Sequence, residues 1–293
     1  MVIIIGATGF LGKPVLEKLL KKGFKARCLL RTSSDTSKLE EAANKIGGKF
    51  GFVTGTLQSP DSIITPLKKA EIAVYMVDLE YTGLLKNFIN AALRAGLKRV
   101  IFISSTTVLV PLESKVKTKK IASENLIKNS GLDYTILRPS MIYGSKDDTN
   151  FSRMINFIKK RGFFITFGSG NNLIQPVYIE DVAAAVVSAI DNRKTFRQIY
   201  NIAGKEPLKY NDMLEIVRNK LNKQFKSIRV PPVPGKFLIS IYAGISKSPA
   251  LTPAQIDRTG IDKIYSYRKA SNDFDFSPIG FEEGIEKLIK ELE

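Results

Sequence analysis

The sequence predicts an α/β protein, a Rossmann-type doubly wound parallel sheet with a smaller C-terminal lobe. Three observations carry this. The apolar run Val2-Ile3-Ile4-Ile5 ends in glycines spaced G-x-x-G-x-x-G, at Gly6, Gly9 and Gly12. An amphipathic helix follows, with Val15, Leu16, Leu19 and Leu20 on one face and Lys18, Lys21 and Lys22 on the other. Short apolar segments then alternate with helical ones through the first half of the chain, which is the rhythm of βαβ units.

The elements read off in order. A second strand covers residues 25–30 and a third 50–53, and Ser59-Pro60 opens a helix at 61–69. The fourth strand is 72–77. Helix 81–95 is ended by Gly96. The fifth strand, 99–104, is apolar nearly throughout, as a strand buried on both faces should be. Helix 117–129 closes at Ser130-Gly131, and strand 133–138 is stopped by Pro139. Beyond Gly144 the rhythm breaks. A helix at 150–161 leads to the Phe163, Phe164 and Phe167 segment, which reads as core. A strand at 176–179 precedes helix 182–190 with Asp181 as its N-cap. Residues 200–203 form a short strand. From Lys205 the chain turns helical and lysine-rich, broken by Pro231-Pro232-Val233-Pro234. Residues 1–145, with 172–204 returning to them, make the nucleotide-binding core; 146–171 and 205–293 make the lobe.

Composition narrows the chemistry. There is no histidine, so His-based acid–base catalysis, His triads and most zinc sites drop out, and no metal is expected. The single cysteine, Cys28, lies inside a strand and reads as a buried structural thiol. Met1 leads straight into the first strand, which points to a cytoplasmic protein without a signal peptide. The apolar stretch 237–245 is far short of a spanning helix and reads as a lobe helix, with peripheral membrane docking as the lesser alternative. The net charge of +17, from 45 Lys and Arg against 28 Asp and Glu, favours anionic ligands such as nucleotides. The lysines are spread over many helix faces with no aromatic interleaving, so nucleic acid is not an expected partner.

The glycine turn suits a dinucleotide pyrophosphate. Glycines let the backbone pass close to the phosphates, and the helix N-terminus offers free N–H groups. Gly6, Thr8, Gly9, Phe10, Leu11 and Gly12 are therefore the expected cofactor loop. Arg31 ends the second strand nineteen residues after Gly12, where the ribose-reading residue belongs. A carboxylate there would accept the 2′-hydroxyl of NAD, whereas a guanidinium pairs a 2′-phosphate. With Thr32 beside it, this favours NADP(H) over NAD(H).

On these residues, and on Ile101-Phe-Ile-Ser-Ser-Thr106, Lys120-x-x-x-Glu124, Ser130 to Pro139, Ile142-Tyr-Gly144, Gln175 to Val182 and Asp275 to Gly284, the chain resembles the extended or atypical short-chain dehydrogenase/reductases, the NAD-dependent epimerase/dehydratase group. The resemblance implies a Ser or Thr, a Tyr and a Lys around the nicotinamide, with the tyrosine transferring the proton. Ser105 takes the hydroxyl position and Lys120 the lysine position. Thr56, Leu57, Val77, Ser104, Pro139 and Ile142 complete the implied cofactor contacts. A small-molecule substrate, such as a carbonyl compound or nucleotide sugar, is implied too.

The tyrosine position, one turn before the lysine, is Val116, which has no titratable proton. Three consequences compete. Lys120 acts without the tyrosine, as in the isoflavone and pinoresinol reductase branch. Or Tyr143 or Tyr178 serves from a neighbouring loop. Or the protein binds NADP(H) without turnover, resembling the NADPH-binding accessory subunit of respiratory complex I or the NmrA-type redox sensors, and then has a protein partner. Two smaller departures stand beside it. Thr56 replaces the expected Asp after the third strand, and Asp78 follows the fourth, where it must face solvent or pair with a base. Lys120 and Glu124 have the spacing of an i,i+4 ion pair.

Overall fold

The computed structural model describes residues 1–245, 256–257 and 259–293. The chain divides into two units. The first comprises Met1–Ser140, Ile179–Ala203 and Ser266–Pro278, the second Met141–Tyr178, Gly204–Tyr265 and Ile279–Glu293.

The first unit is a seven-stranded sheet, parallel at every pairing. In chain order it runs β1 (Val2–Ile5), α1 (Gly12–Lys21), β2 (Ala26–Leu30), α2 (Ser37–Ile46), β3 (Phe50–Thr54), α3 (Asp61–Lys68), β4 (Ile72–Tyr75), α4 (Thr82–Arg94), β5 (Arg99–Ile103), α5 (Lys115–Lys128) and β6 (Asp133–Pro139). The spatial order is β3-β2-β1-β4-β5-β6, with strand Gln198–Ile202 outside β6. From β1 the chain winds one way to β3, then crosses to β4 and winds the other way. The crevice between the ends of β1 and β4 is thus the topological switch point, where ligands bind in such sheets. All four residues of β1 are buried, since it lies between β2 and β4 and is covered on both faces.

Helix α2 has no counterpart in the expected element list. Its segment, SKLEEAANKI, buries only Leu39, Ala42 and Ala43. The helix ends at Gly47, which holds a left-handed φ of 73° as a C-terminal cap.

At the opposite end of the sheet the buried Arg99 organises the return of the chain. Its guanidinium donates to the carbonyls of Ala189 (2.6 Å), Ile190 (3.3 Å) and Asp133 (2.9 Å) and to Thr195 Oγ1 (2.8 Å). These satisfy the carbonyls that end helix Ile179–Ile190. That helix begins at Ile179, so Asp181 lies in its first turn and is not the residue before it.

The second unit is built on a different core, in which Tyr143, Phe151, Ile155 and Ile158 pack with Met213, Val217, Phe281 and Ile285. Strand Phe163–Phe167 pairs in parallel with Lys226–Val230. The unit boundaries shift from the sequence division in four places, the smallest being Gly204, which belongs to the second unit. Residues 141–145 and 172–178 belong to the second unit, because Val177–Tyr178 pairs with Ile142–Tyr143 in a ribbon of its own. Residues 266–278 belong to the first, because helix Arg268–Phe274 is bonded there. Tyr200 Oη donates to Asp273 Oδ2 at 2.7 Å, and Asn192 Nδ2 to the Asp273 carbonyl at 2.7 Å.

Within the second unit, Lys220 bridges Glu282 (3.0 Å) and Glu286 (2.9 Å). Bonds from Lys290 and Lys220 push the Glu286 carboxyl down to about 2. The stabilisation from this depressed carboxyl is full above the unfolded value near 4.5 and is lost as pH falls through about 2. In denaturant melts, Glu286→Gln should therefore be less stable than wild type at pH 6. The two should converge as pH approaches 2, and at high salt, because this pair is exposed.

Candidate functional site

The end of β1 opens into the glycine turn, and each glycine has its own reason. Gly6 sits at φ +87°, and a Cβ there would lie 3.2 Å from the carbonyl carbon of Met76 and the nitrogen of Val77. Gly9 N–H donates to the Gly6 carbonyl at 3.0 Å, and Gly12 N–H to the Gly9 carbonyl at 2.9 Å. A Cβ on Gly12 would stand 1.7 Å from the Ala7 oxygen, so only glycine lets α1 come this close to the turn. Thr8 and Gly9 are exposed, Phe10 is half-buried and Leu11 is buried. Leu11 offers no side-chain oxygen to the first turn of α1, which contains no acidic residue. The turn thus leaves a tight, positively polarised cradle that fits a pyrophosphate.

Arg31, just past β2, is exposed, as is Thr32. The Arg31 N–H donates to Ser34 Oγ (3.1 Å) and its carbonyl accepts from Ser34 N–H (2.9 Å), which turns the chain toward α2. No carboxylate among the described residues pairs with its guanidinium. The position can receive a phosphate.

Across the switch point, Val77 is half-buried against Gly6. Asp78 is the next residue. Its Oδ1 accepts from Lys120 Nζ at 2.6 Å and from the Glu80 N–H at 2.8 Å. Lys120, on α5, is only 7% exposed. Asp78 thus pairs with a base and is itself exposed to solvent. Ser123 Oγ, bonded to the Leu79 carbonyl (2.6 Å) and 3.0 Å from Thr82 Oγ1, fixes α5 to the same loop.

The expected Lys120–Glu124 pair does not form. Glu124, 2% exposed, instead receives the Arg138 guanidinium through Nε (2.9 Å) and Nη2, and the Ser104 hydroxyl at 2.6 Å. Asp78 lies closer to Lys120 than the spacing rule anticipated, and Arg138 from β6 faces Glu124. Ser104 Oγ is therefore committed to the protein. Ser105 Oγ is buried and makes no hydrogen bond among the described residues. Val116 is half-buried in the first turn of α5.

The remaining expected contacts are placed as follows. Leu57 is packed into the core with Ile63 and Leu67, which leaves its side chain facing protein. The Thr56 hydroxyl bonds the Gln58 side chain, and its N–H donates to Ser62 Oγ (3.0 Å). Pro139 is buried in β6 opposite Ile202. Ile142 belongs to the second unit. There too lie the candidate tyrosines. Tyr143 is a core residue, its ring 5.2 Å from those of Phe151 and Phe281 and its hydroxyl 3.4 Å from the Phe281 carbonyl. A Cβ at Gly284 would stand 2.1 Å from that hydroxyl, so the glycine makes room for the phenol. Tyr178 packs edge-on to Tyr143. Phe163, Phe164 and Phe167 are half-buried strand residues, and Phe164 packs against the core of the second unit. Burial pushes the Cys28 thiol up to about 12, which leaves it inert as a nucleophile. Among the described residues, no helix is long and apolar enough to cross a membrane.

Comparison with known proteins agrees with this geometry. The family described as NAD(P)H-binding matches residues 6–193. The mitochondrial NADH dehydrogenase [ubiquinone] 1 alpha subcomplex subunit 9 of Arabidopsis thaliana is 29% identical over 78% of this chain, which spans 60% of that relative's length. A putative UDP-glucose 4-epimerase of Methanocaldococcus jannaschii is 23% identical over 93% of this chain and 99% of its own. The structure of UDP-glucose 4-epimerase from Thermotoga maritima with UDP-glucose superposes with a TM-score of 0.77 at 16% identity, covering 99% of this chain and 98% of the other, and so shares the fold. With its glycine cradle at the switch point of a Rossmann sheet, the chain belongs to the NAD(P)H-binding family.

Proposed function

We propose that this chain binds NADP(H) in the first unit and acts on a small carbonyl or nucleotide-sugar substrate as an oxidoreductase or epimerase that works without the tyrosine. The observation that carries the reading is the Lys120–Asp78 pair. It is a nearly buried ammonium held by a carboxylate at 2.6 Å, on the helix that follows the unpartnered hydroxyl of Ser105.

Each residue then has a role. Backbone N–H groups of the Gly6–Gly12 turn, other than those of Gly9 and Gly12 that are bonded within it, hold the pyrophosphate, and Arg31 pairs the 2′-phosphate. The dinucleotide, when bound, supplies or accepts the hydride. Asp78 orients Lys120, so that its ammonium donates hydrogen bonds to ribose hydroxyls and stabilises negative charge developing on a substrate oxygen. Ser105 donates its hydroxyl hydrogen to the same oxygen. Lys120 also takes the proton-donor role that Val116 lacks.

Titration with NADPH and NADH, followed by a screen of aldehydes, ketones and UDP- or dTDP-sugars for cofactor oxidation or isomerised product, tests this. Turnover should fall by about 100-fold or more in Lys120→Met and survive Tyr178→Phe. Arg31→Asp should weaken NADPH by roughly 10–100-fold and shift preference to NADH. Equal wild-type affinities for the two would remove the NADP(H) assignment.

Val116 favours a second reading, a cofactor-binding assembly or sensor protein without turnover. The similarity to a respiratory complex subunit and to the photosystem II assembly factor Ycf39 of Cyanophora paradoxa supports it. Tight NADPH binding with no turnover on any substrate, together with a co-purifying protein, would establish this reading over the first.

A further inference from the structure

Between Glu215 and Asp257 the sequence holds seven lysines and arginines and no acidic residue. Nowhere else in the chain is so long a stretch without a carboxylate. It carries helix Pro232–Ile245 of the second unit, whose sequence is apolar except for Lys236 and Ser240. Gly235 faces inward, close enough that a Cβ would stand 2.6 Å from the Phe167 ring and 3.2 Å from Val230. Val233 and Phe237, two residues to either side of it, therefore project away from the body of the unit. They are 81% and 67% exposed.

The apolar surface continues onto the neighbouring ribbon. Ile165 and Ile228 are register partners on the two parallel strands, and they are 39% and 46% exposed. A side chain normally buried in a strand pair is here left to solvent on both members. Lys226, on the Ile228 face of its strand, and Arg229, on the opposite face, are exposed, and neither forms an ion pair among the described residues. Lys236, one turn into the helix, pairs with Asp257.

We propose that this face of the second unit docks on an anionic lipid bilayer. Large exposed aliphatic and aromatic side chains beside unpaired cations match both halves of such a surface, acyl chains and negatively charged headgroups. A protein partner would need acidic residues around an apolar patch, whereas the bilayer supplies both by its nature. Fourteen helical residues reach about 21 Å, short of the roughly 30 Å hydrocarbon core. The helix therefore lies on the bilayer and does not span it. The net charge of +17 adds long-range attraction to the same surface.

The test is co-sedimentation of the full chain with unilamellar vesicles of phosphatidylcholine, with and without phosphatidylglycerol. Binding is expected to the anionic vesicles and to weaken with salt. The double variant Val233→Asp/Phe237→Asp should lower it by about tenfold or more, and Lys226→Gln/Arg229→Gln should lower the preference for phosphatidylglycerol severalfold. Both pairs are exposed, so circular dichroism and the thermal midpoint should match wild type. If the aspartate variant misfolds, the glutamine variant decides alone. Absence of wild-type binding, or equal binding by folded variants, would overturn the proposal. So would a wild-type dimer that ignores vesicles and dissociates in Val233→Asp/Phe237→Asp, which would assign the face to a second copy of the chain.

Discussion

Gly12→Ala is expected to abolish nicotinamide dinucleotide binding while leaving a folded but weakened protein. The added Cβ would stand 1.7 Å from the Ala7 oxygen, 2.4 Å from its carbonyl carbon and 2.8 Å from its Cα. All three are backbone atoms, so no rotamer change relieves the overlap. Either α1 slides away from the sheet or the turn opens. α1 is anchored by Val15, Leu16, Leu19 and Leu20, all buried, so the turn is the softer of the two. Overpacking of this kind costs about 1–3 kcal/mol. The cofactor loses more, because the N–H groups that must converge on the pyrophosphate lose their common aim. NADPH fluorescence titration should show a loss of roughly 100-fold or more. Gly83→Ala is the control. It lies in the first turn of α4 with nothing within 4 Å of the added carbon, and it should leave affinity unchanged while stabilising by up to about 1 kcal/mol. Undiminished NADPH binding in Gly12→Ala would mean that the dinucleotide does not use this turn.

The glycine turn was legible in the sequence because its requirements are local. Positive φ at Gly6 and the close approach at Gly12 are set by neighbours within a few residues. The sheet was legible for a related reason: β1 and β5 are covered on both faces, and the resulting apolar runs leave little ambiguity. Helix α2 escaped because two of its three buried residues are alanines, which mark an apolar face weakly. The polar partners were the least legible. Lys120 and Asp78 are 42 residues apart, and Glu124 and Arg138 are 14. Each pair is made by tertiary packing across different elements, and the i,i+4 rule offered a nearer but wrong partner. An acidic residue just past β4 was the available signal for Asp78, since a buried lysine on the facing helix needs one.

Glu124→Ala should be among the most destabilising single substitutions in the first unit. The carboxylate is buried on α5 and accepts from two nitrogens of Arg138 and from Ser104 Oγ. Removing it leaves a largely buried guanidinium and a buried hydroxyl without partners. Breaking such a pair costs about 3–5 kcal/mol, mostly as desolvation of the surviving charge. Glu124→Gln should recover little, because its amide places a donor against the donors of Arg138. The double variant Glu124→Leu/Arg138→Met should recover most of the stability, since the cost lies in the orphaned cation and not in the loss of the bridge. Urea unfolding of the three variants measures this directly. If Glu124→Ala cost less than about 1 kcal/mol, the pair would be behaving as a solvated surface bridge. The functional consequence is separate from stability. Ser104 follows β5 directly and precedes Ser105, and Glu124 lies one turn beyond Lys120 on α5. The apolar double variant should therefore be nearly as stable as wild type yet bind NADPH less tightly. Its loss should be smaller than that of Gly12→Ala, because the pyrophosphate cradle on β1 and α1 is untouched.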